Sequence, residues 1–145
     1  MVKIKVVKAH NRIPLPLYET EGAAGMDLHA FLDTDILIPP MGRAIIPTGL
    51  RIEVPAGYEA QVRPRSGLAL KSGLTVLNSP GTIDSDYRGD VGVILINLSN
   101  EDITIKDGQR IAQLVICPVC RVLLEETESI SNSLRGSAGF GSTGD

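Results

Sequence analysis

The sequence lacks the features that mark membrane, secreted or nucleic-acid-binding proteins. No apolar run approaches the ~18 residues that a membrane helix requires. The first ten residues alternate lysine with valine and isoleucine, unlike the continuous apolar core of a signal peptide. The 14 basic and 17 acidic residues give a net charge of -3, which provides no broad cationic field for nucleic acid or acidic membranes. We therefore expect a cytoplasmic protein that binds neither nucleic acid nor membranes.

Cysteine is also scarce, with two residues, Cys117 and Cys120, in a Cys-Pro-Val-Cys pattern. This spacing is found in redox centres and in half of a zinc site. No second Cys or His pair is present to complete a zinc tetrahedron, since His10 and His29 stand apart and far upstream. The pair follows the apolar residues 114–116, so ordinary packing at the end of a strand accounts for it, and we leave its role unassigned.

What the chain has instead is many turn residues between short apolar runs. Glycine and proline together make up 24 residues and recur throughout the first 120 positions. Apolar and charged residues alternate in residues 2–6, and residues 91–98 are rich in β-branched side chains. The pattern predicts an all-β fold, a jelly-roll-like sandwich or barrel. The best helix candidate is residues 66–72, with Ser66 as the expected N-cap and Gly73 as the stop.

The 145 residues fit one domain, with no internal repeat and no linker that would divide it. From Glu125 the composition changes, and too few apolar residues remain to offset the entropy of ordering the chain. We therefore expect a β domain over residues 1–124 and a flexible C-terminal tail over residues 125–145.

The tail contains the glycine-rich run GSAGFGST at residues 136–143. It has the glycine spacing of a phosphate-binding P-loop, but serine replaces the lysine and no strand and helix flank it, which excludes a P-loop fold. Glycines still let backbone N–H groups approach phosphate, and Arg135 adds a positive charge. A flexible Gly/Ser tail explains the composition as well. If the tail binds a ligand, the entropy of ordering it means that it closes only when the ligand is bound.

Three carboxylates lie within residues 84–90, which begin like a calcium-binding loop. Arg88 stands where a third oxygen ligand is needed, so an EF-hand is excluded. The segment is then either a solvated turn or a source of one general base or magnesium ligand. No Gly-x-Ser-x-Gly elbow is present to support a serine nucleophile, so hydrolysis at this site would use activated water.

Five separated segments resemble, in order, the signature motifs of the trimeric dUTPase family. They are AGMDL at 24–28, PRSGLA at 64–69, NSPGTIDSDYRG at 78–89, GQRIAQL at 108–114 and RGSAGFGSTG at 135–144. One such motif is a weak signal, but five at family-like spacing are specific. The resemblance implies a homotrimer of jelly-roll subunits whose active sites are assembled from all three chains.

The implied reaction is magnesium-dependent hydrolysis of dUTP to dUMP and diphosphate, which keeps dUTP low and supplies dUMP for thymidylate synthesis. Asp84 is similar to the residue that activates water for in-line attack on the α-phosphorus. Asp27 is similar to the aspartate that holds Mg2+ through its water shell. Tyr87 resembles the tyrosine that packs under the sugar and leaves no room for a ribose 2′-hydroxyl.

The remaining site residues implied by the resemblance contact the base and the phosphates. The family reads uracil with a β-hairpin, here residues 74–83, in which Asn78 binds the base edge and Gly81 and Ile83 also contact the substrate. The expected phosphate contacts are Arg65, Ser66, Gly67 and Gln113. The tail is expected to fold over the nucleotide, with Phe140 on uracil and Arg135, Ser142 and Thr143 on the γ-phosphate, and Gly141 is also expected to contact the substrate.

Two positions depart from the pattern of the dUTPase family. Ala138 stands where glycine is more usual, which would weaken closure of the tail if that site needs a positive φ. Ser72 stands where many members have histidine.

A dCTP deaminase would need a glutamate that supports attack on the cytosine ring, and the third motif is instead that of a hydrolase. A noncatalytic nucleotide sensor is the third class, although both Asp84 and the tail are present.

Overall fold

Two four-stranded antiparallel sheets pack face to face in a jelly-roll-type sandwich, as expected from the sequence. The structure is a computed structural model that describes residues 2–139. The strands of this part of the chain are β1 Lys5–Lys8, β2 Met26–His29, β3 Ile36–Ile38, β4 Arg43–Glu53, β5 Tyr58–Arg63, β6 Leu74–Val76, β7 Gly81–Ile83, β8 Asp90–Asn97, β9 Ile103–Ile105 and β10 Arg110–Pro118. One sheet has the order β1-β4-β8-β6, the other the order β2-β10-β5-β7, and β3 pairs with β9 separately.

The core lies between the two sheets and is made of strand residues that alternate with exposed ones. Along β8, Val91, Val93 and Leu95 are buried while the residues between them are partly exposed. Fully burying an aliphatic side chain of this size stabilises the fold by about 1.5–3 kcal/mol. Asn97 ends the strand as a buried polar residue, and its Nδ2 donates to the carbonyls of Ile38 at 2.9 Å and Glu101 at 2.7 Å.

One helix, α1, spans Ser66–Ser72 and confirms the helix expected there. The expected N-cap was wrong, because Ser66 is already helical and the cap is Arg65, which has extended dihedrals and makes no capping bond with its side chain. Gly73 ends the helix with φ 63°, a left-handed conformation that glycine adopts without a Cβ penalty. In the described part of the chain, no helix is long and apolar enough to cross a membrane.

The hairpin of β6 and β7 crosses from one sheet to the other. Strand β6 pairs with β8, whereas β7 pairs with β5 in the opposite sheet. The turn between them contains a cis peptide bond before Pro80, and Leu77 N donates to Ile94 O at 2.9 Å. The hairpin therefore closes one side of the sandwich. Strands β1 and β2 form the sheet edges on the other side.

Candidate active site

Asp27 on β2 is the centre of a cluster of charged residues. Its carboxylate is only 15% exposed and accepts hydrogen bonds from Nε of Arg65 at 2.9 Å and Nη1 of Arg110 at 3.1 Å. The two bonds use different oxygens of the carboxylate. Arg65 precedes helix α1 and Arg110 begins β10, so one carboxylate joins three separate elements of the chain.

Arg110 reaches Asp27 because of a β-bulge in β10. Gln113 lies opposite Asp27, and in a regular strand residues three positions apart point to opposite faces of the sheet. The register shifts between Arg110 and Ala112, so that the extra residue Ile111 turns Arg110 onto the face of Asp27. The sequence contains Arg110 within the fourth motif, but its role was missed because a bulge cannot be read from apolar periodicity.

Gln113 holds the turn that leads into α1. Its Nε2 donates to Pro64 O at 2.9 Å, and its Oε1 faces Gly25. A Cβ on Gly25 would lie 2.2 Å from that oxygen, so only glycine leaves room for the amide there. Gln113 keeps a second Nε2 hydrogen for another acceptor. Ser66 and Gly67, in the first turn of α1, are exposed beside this group.

Asp84 and Tyr87 belong to the turn between β7 and β8. Both are exposed, and Tyr87 N donates to Asp84 O at 3.2 Å. Tyr87 Oη donates to Asp90 O at 3.0 Å and passes over Gly89, where a Cβ would be only 2.3 Å from that oxygen. Asp84 lines two cavities, one of about 190 Å³ that Tyr87 also lines and one of about 610 Å³ that Glu59 also lines.

The residues expected to read a base lie next to this turn. Asn78 is exposed in the loop of the β6–β7 hairpin, whereas Gly81 and Ile83 are buried in β7. A Cβ on Gly81 would lie 3.1 Å from Asn78 Nδ2, so the strand passes close to that amide. Asn78, Gly81 and Asp84 thus follow one another along the hairpin loop, strand β7 and the start of the next turn.

The cluster around Asp27 and the turn with Asp84 are separate within one chain. Over residues 2–139, no hydrogen bond or ion pair joins them. Strands β2 and β7 lie three strand spacings apart in the sheet, because β10 and β5 stand between them. Along the strand direction, Asp84 is offset from Asp27 by four residues. In a regular sheet, these two offsets place the backbones of Asp27 and Asp84 about 20 Å apart. Within one chain, the two groups are therefore too far apart to contact each other.

The tail of residues 125–145 follows β10, which ends at Pro118, and residues 119–138 are exposed. Arg135 Nε donates to Ala138 O at 2.9 Å, so this arginine folds back on its own segment. Among residues 2–139, Met41 is the only non-glycine residue with positive φ, so Ala138 has an ordinary conformation here. The expected contacts of Phe140, Gly141, Ser142 and Thr143 lie outside the described residues.

The side chains around Asp27 indicate how this region could contact a metal ion. In the described part of the chain, no three His, Cys, Asp or Glu side chains are grouped as metal ligands. Both oxygens of Asp27 are hydrogen-bonded to arginines. This arrangement suits contact with a hydrated ion through water rather than direct ligation, which agrees with the reluctance of Mg2+ to lose its waters.

Comparison with known proteins gives a consistent match over the chain. Residues 11–144 match the protein-family model described as dUTPase. A deoxyuridine 5'-triphosphate nucleotidohydrolase of Cytophaga hutchinsonii is 57% identical over 141 residues, which cover 97% of this chain and 91% of the relative. A relative of the same name from Hydrogenobaculum sp. is 54% identical, with 99% of both chains covered. A solved Staphylococcus bacteriophage 80alpha dUTPase mutant with dUpNHpp has a TM-score of 0.87 at 27% identity over 99% of each chain.

Proposed function

The chain belongs to the dUTPase family and hydrolyses dUTP to dUMP and diphosphate, and we propose that it does so at sites assembled from three copies of the chain. The separation of the Asp27 cluster from Asp84 carries this proposal. Each subunit supplies both groups, but to different sites. A lone subunit then has no complete site and no activity.

Exposed apolar surface on the single chain supports the assembly of several copies. Edge strands β1 and β2 border an apolar groove of about 370 Å³ that includes Ile4, Val6 and Met26. Beyond β10, the apolar residues Val122, Leu123 and Leu124 are 75%, 95% and 89% exposed. Exposed apolar surface of this kind is typical of protein–protein interfaces. A homotrimer buries such surface and brings the separated groups together.

Asp84 is the proposed general base. Its carboxylate is exposed beside a cavity and is held in a short turn, so it can orient a water molecule and accept its proton. The water attacks the α-phosphorus in line with the bond to the leaving diphosphate. Most of the rate in such a reaction comes from positioning and charge neutralisation rather than from a covalent intermediate.

The phosphates are proposed to bind at the cluster around Asp27. Arg65 contributes a positive charge, Ser66 and Gly67 contribute exposed groups at the start of α1, and Gln113 contributes its second amide hydrogen. Arg110 has a half-exposed side chain and keeps further N–H groups that point away from its bond with Asp27.

Base and sugar selectivity are assigned to the hairpin and the turn after it. Asn78 hydrogen-bonds the uracil edge, and Gly81 and Ile83 form the wall beside it. A buried hydrogen-bonding site rejects cytosine because its polar groups would remain unpaired. Tyr87 is fixed over Gly89, packs under the deoxyribose and leaves no space for a 2′-hydroxyl.

Magnesium is the proposed cofactor, held mainly by the triphosphate, with Asp27 contacting it through water. When bound, the ion neutralises charge on the phosphate oxygens and orients the chain of phosphates. The residues of this chain keep Asp27 fixed, because Arg65 and Arg110 occupy both of its oxygens.

Residues 125–145 are proposed to act as a lid that closes over bound nucleotide. Phe140 stacks on uracil, and Arg135, Gly141, Ser142 and Thr143 surround the γ-phosphate. Arg135 would exchange its bond with the Ala138 carbonyl for bonds to phosphate, in which both partners are charged and which can be bidentate. We further propose that the enzyme works in the cytoplasm, where it keeps dUTP low and supplies dUMP for thymidylate synthesis.

The decisive test measures diphosphate release from dUTP, dCTP, dTTP and UTP, with Mg2+ and then with a chelator. We expect release from dUTP alone and its loss with the chelator. The mass of the protein in solution should be that of three chains. Ammonia release from dCTP would instead indicate a deaminase, and dUTP binding without diphosphate release would indicate a nucleotide sensor.

A further inference from the structure

The two cysteines lie where β10 leaves the domain. Cys117 is within the strand and partly exposed, and Cys120 is exposed two residues after the strand ends. Both are free thiols. The proposed hydrolysis uses neither of them, and they lie at the strand end that leads towards the tail of residues 125–145.

An extended chain at this strand end does not suit a disulfide between the two cysteines. Cys117 lies opposite Glu59, Pro118 lies opposite Tyr58, and Val119 N donates to Gly57 O at 2.9 Å. In a fully extended chain, residues three positions apart have Cα atoms about 10 Å apart and side chains on opposite faces. A disulfide needs Cα atoms less than about 7 Å apart. A bridge therefore requires the chain from Cys117 to Cys120 to leave the extended conformation, which opposes the pairing of Pro118 and Val119.

We propose that Cys117 and Cys120 form a thiol–disulfide site whose oxidation releases the end of β10 from β5. The substrate class is a low-molecular-weight disulfide such as glutathione disulfide. The thiolate of exposed Cys120 attacks one sulfur of this disulfide, and one thiol leaves. Cys117 then attacks the mixed disulfide at the Cys120 sulfur, and the second thiol leaves. Two protein thiols are oxidised to one disulfide, one small disulfide is reduced to two thiols, and the two protons go to the leaving thiols.

The local structure favours such a site at this strand end. Pro118 has no N–H with which to strengthen the pairing after Cys117. Arg63 Nη2 lies 3.7 Å from Cys117 Sγ, and the guanidinium of Arg63 is anchored by two hydrogen bonds to Gln61 Oε1. A fixed guanidinium therefore lies beside one of the two sulfurs that would form the bridge.

The strand end also forms part of the wall around Asp84. Val119 and Arg121, the neighbours of Cys120, line the cavity of about 610 Å³ that Asp84 and Gly57 also line. Gly57 is the residue whose carbonyl accepts the bond from Val119. Releasing the strand end consequently changes this cavity and the direction in which the tail leaves the domain.

The test equilibrates the intact protein with glutathione and glutathione disulfide at a series of ratios. Intact mass spectrometry gives the fraction that has lost two hydrogens, and peptide mapping locates the bridge. We expect an intramolecular bridge between Cys117 and Cys120, absent from Cys120→Ser, and faster hydrogen exchange at the amide of Val119 in the oxidised protein. Glutathione adducts without a bridge at any ratio would overturn the proposal.

A pair of proline variants tests whether oxidation of the cysteines is coupled to the pairing of the end of β10 with β5. Val119→Pro removes the N–H that bonds Gly57, so the equilibrium constant for oxidation should rise by about fivefold, the usual contribution of one backbone hydrogen bond. Glu126→Pro introduces the same residue in the exposed chain beyond the site and should leave the constant unchanged. Equal constants for Val119→Pro and wild type would show that oxidation is not linked to the strand end.

Enzyme activity gives a separate readout that rests on the proposed function. The oxidised protein should hydrolyse dUTP more slowly than the reduced protein, and Cys120→Ser should be insensitive to the glutathione ratio. If the reduced protein is inactive, the proposed function is wrong. The mass measurements still show whether the bridge between Cys117 and Cys120 forms. If the bridge forms and activity is unchanged, the link between the strand end and Asp84 is wrong.

Discussion

Nη1 of Arg110 lies 3.1 Å from Oδ2 of Asp27, although the two residues are 83 positions apart in the chain. The β-bulge at Ile111 makes this contact possible because it turns Arg110 to the face of the sheet on which Asp27 lies. The other oxygen of Asp27 accepts from Arg65. Arg110 therefore helps to set the orientation of a carboxylate that in turn orients Arg65.

Arg110→Gln should raise KM for dUTP roughly tenfold, corresponding to about 1.4 kcal/mol of binding free energy. Loss of one cation leaves Asp27 freer to rotate, so Arg65 is less well placed for the phosphates. We expect Arg110→Lys to recover only part of the loss, because an ammonium lacks the planar fork of a guanidinium. The control is Arg43→Gln on β4, an exposed position at which steady-state kinetics should not change. An unaltered KM for Arg110→Gln would contradict the positioning role.

Gly25→Ala should displace Gln113, because the new Cβ would lie 2.2 Å from Oε1 of that residue. The shift breaks the bond from Gln113 to Pro64 and loosens the entry to α1. We expect a loss of about 1–3 kcal/mol in the free energy of unfolding, the range for overpacked sites, together with lower kcat/KM. Gly22→Ala is the matched control, since no atom lies within 4 Å of the place that its methyl group would take. Urea denaturation and dUTP kinetics of the two variants distinguish a local clash from a general effect of alanine.

Asp84→Asn should retain dUTP binding and reduce kcat by about 10²–10⁴-fold, the typical contribution of a general base. The substitution keeps the size of the side chain and removes its ability to accept the proton of water. Asp86→Asn changes the neighbouring exposed carboxylate and should leave kcat near the wild-type value. Calorimetric binding of a nonhydrolysable dUTP analogue, measured beside turnover, separates loss of chemistry from loss of affinity. Wild-type turnover in Asp84→Asn would remove Asp84 as the base.

Deleting residues 135–145 should leave the trimer intact and sharply lower kcat/KM. The β-sandwich ends at Pro118, so the deletion removes no strand of the described fold. Removing only Asp145, which follows the fifth motif, is the control and should have no effect. Light scattering measures assembly, and diphosphate release measures activity. A truncated protein as active as wild type would exclude the lid.

Glu53 provides a prediction for pH dependence. The hydrogen bond from Lys5 Nζ at 2.9 Å, and then the positive charge of Lys5, hold the pKa of Glu53 below its ordinary value of 4.5. The ionised form therefore favours the folded state above pH 4.5, and this contribution is lost as the pH falls through the folded-state pKa. In Lys5→Met, NMR titration should show the pKa of Glu53 returning towards 4.5, with no such change in Lys3→Met. The difference in unfolding free energy between wild type and Lys5→Met should shrink below that pH, and a constant difference would count against the ion pair.

The sequence predicted the all-β sandwich and helix α1 because alternation, turn residues and Gly73 are local signals. Its motifs also predicted Asp27 and Gln113 as site residues; their roles stay predictions, and the structure places the two opposite each other on neighbouring strands. The helix cap was assigned one residue too late, since serine is a common cap but here lies inside the first turn.

The contacts of Arg110 and Gly25 could not be predicted from the sequence. Both depend on pairing between strands that are far apart in the chain, and the bulge that reorients Arg110 leaves no periodic signal. The separation of Asp84 from the Asp27 cluster likewise depends on the order of strands in the sheet. Sequence motifs indicate which residues matter, whereas the register between strands decides which of them meet.

The β6–β7 hairpin belongs to both sheets at once, through β8 on one side and β5 on the other. A change in the path of this hairpin would disturb the pairing of both sheets and the core between them. If the hairpin reads the base, as proposed, a new base preference that needed a different hairpin path would also need repacking of the whole sandwich, whereas single side-chain changes at its tip would not. The two sheets fix the position of this segment and leave only its surface side chains free to vary.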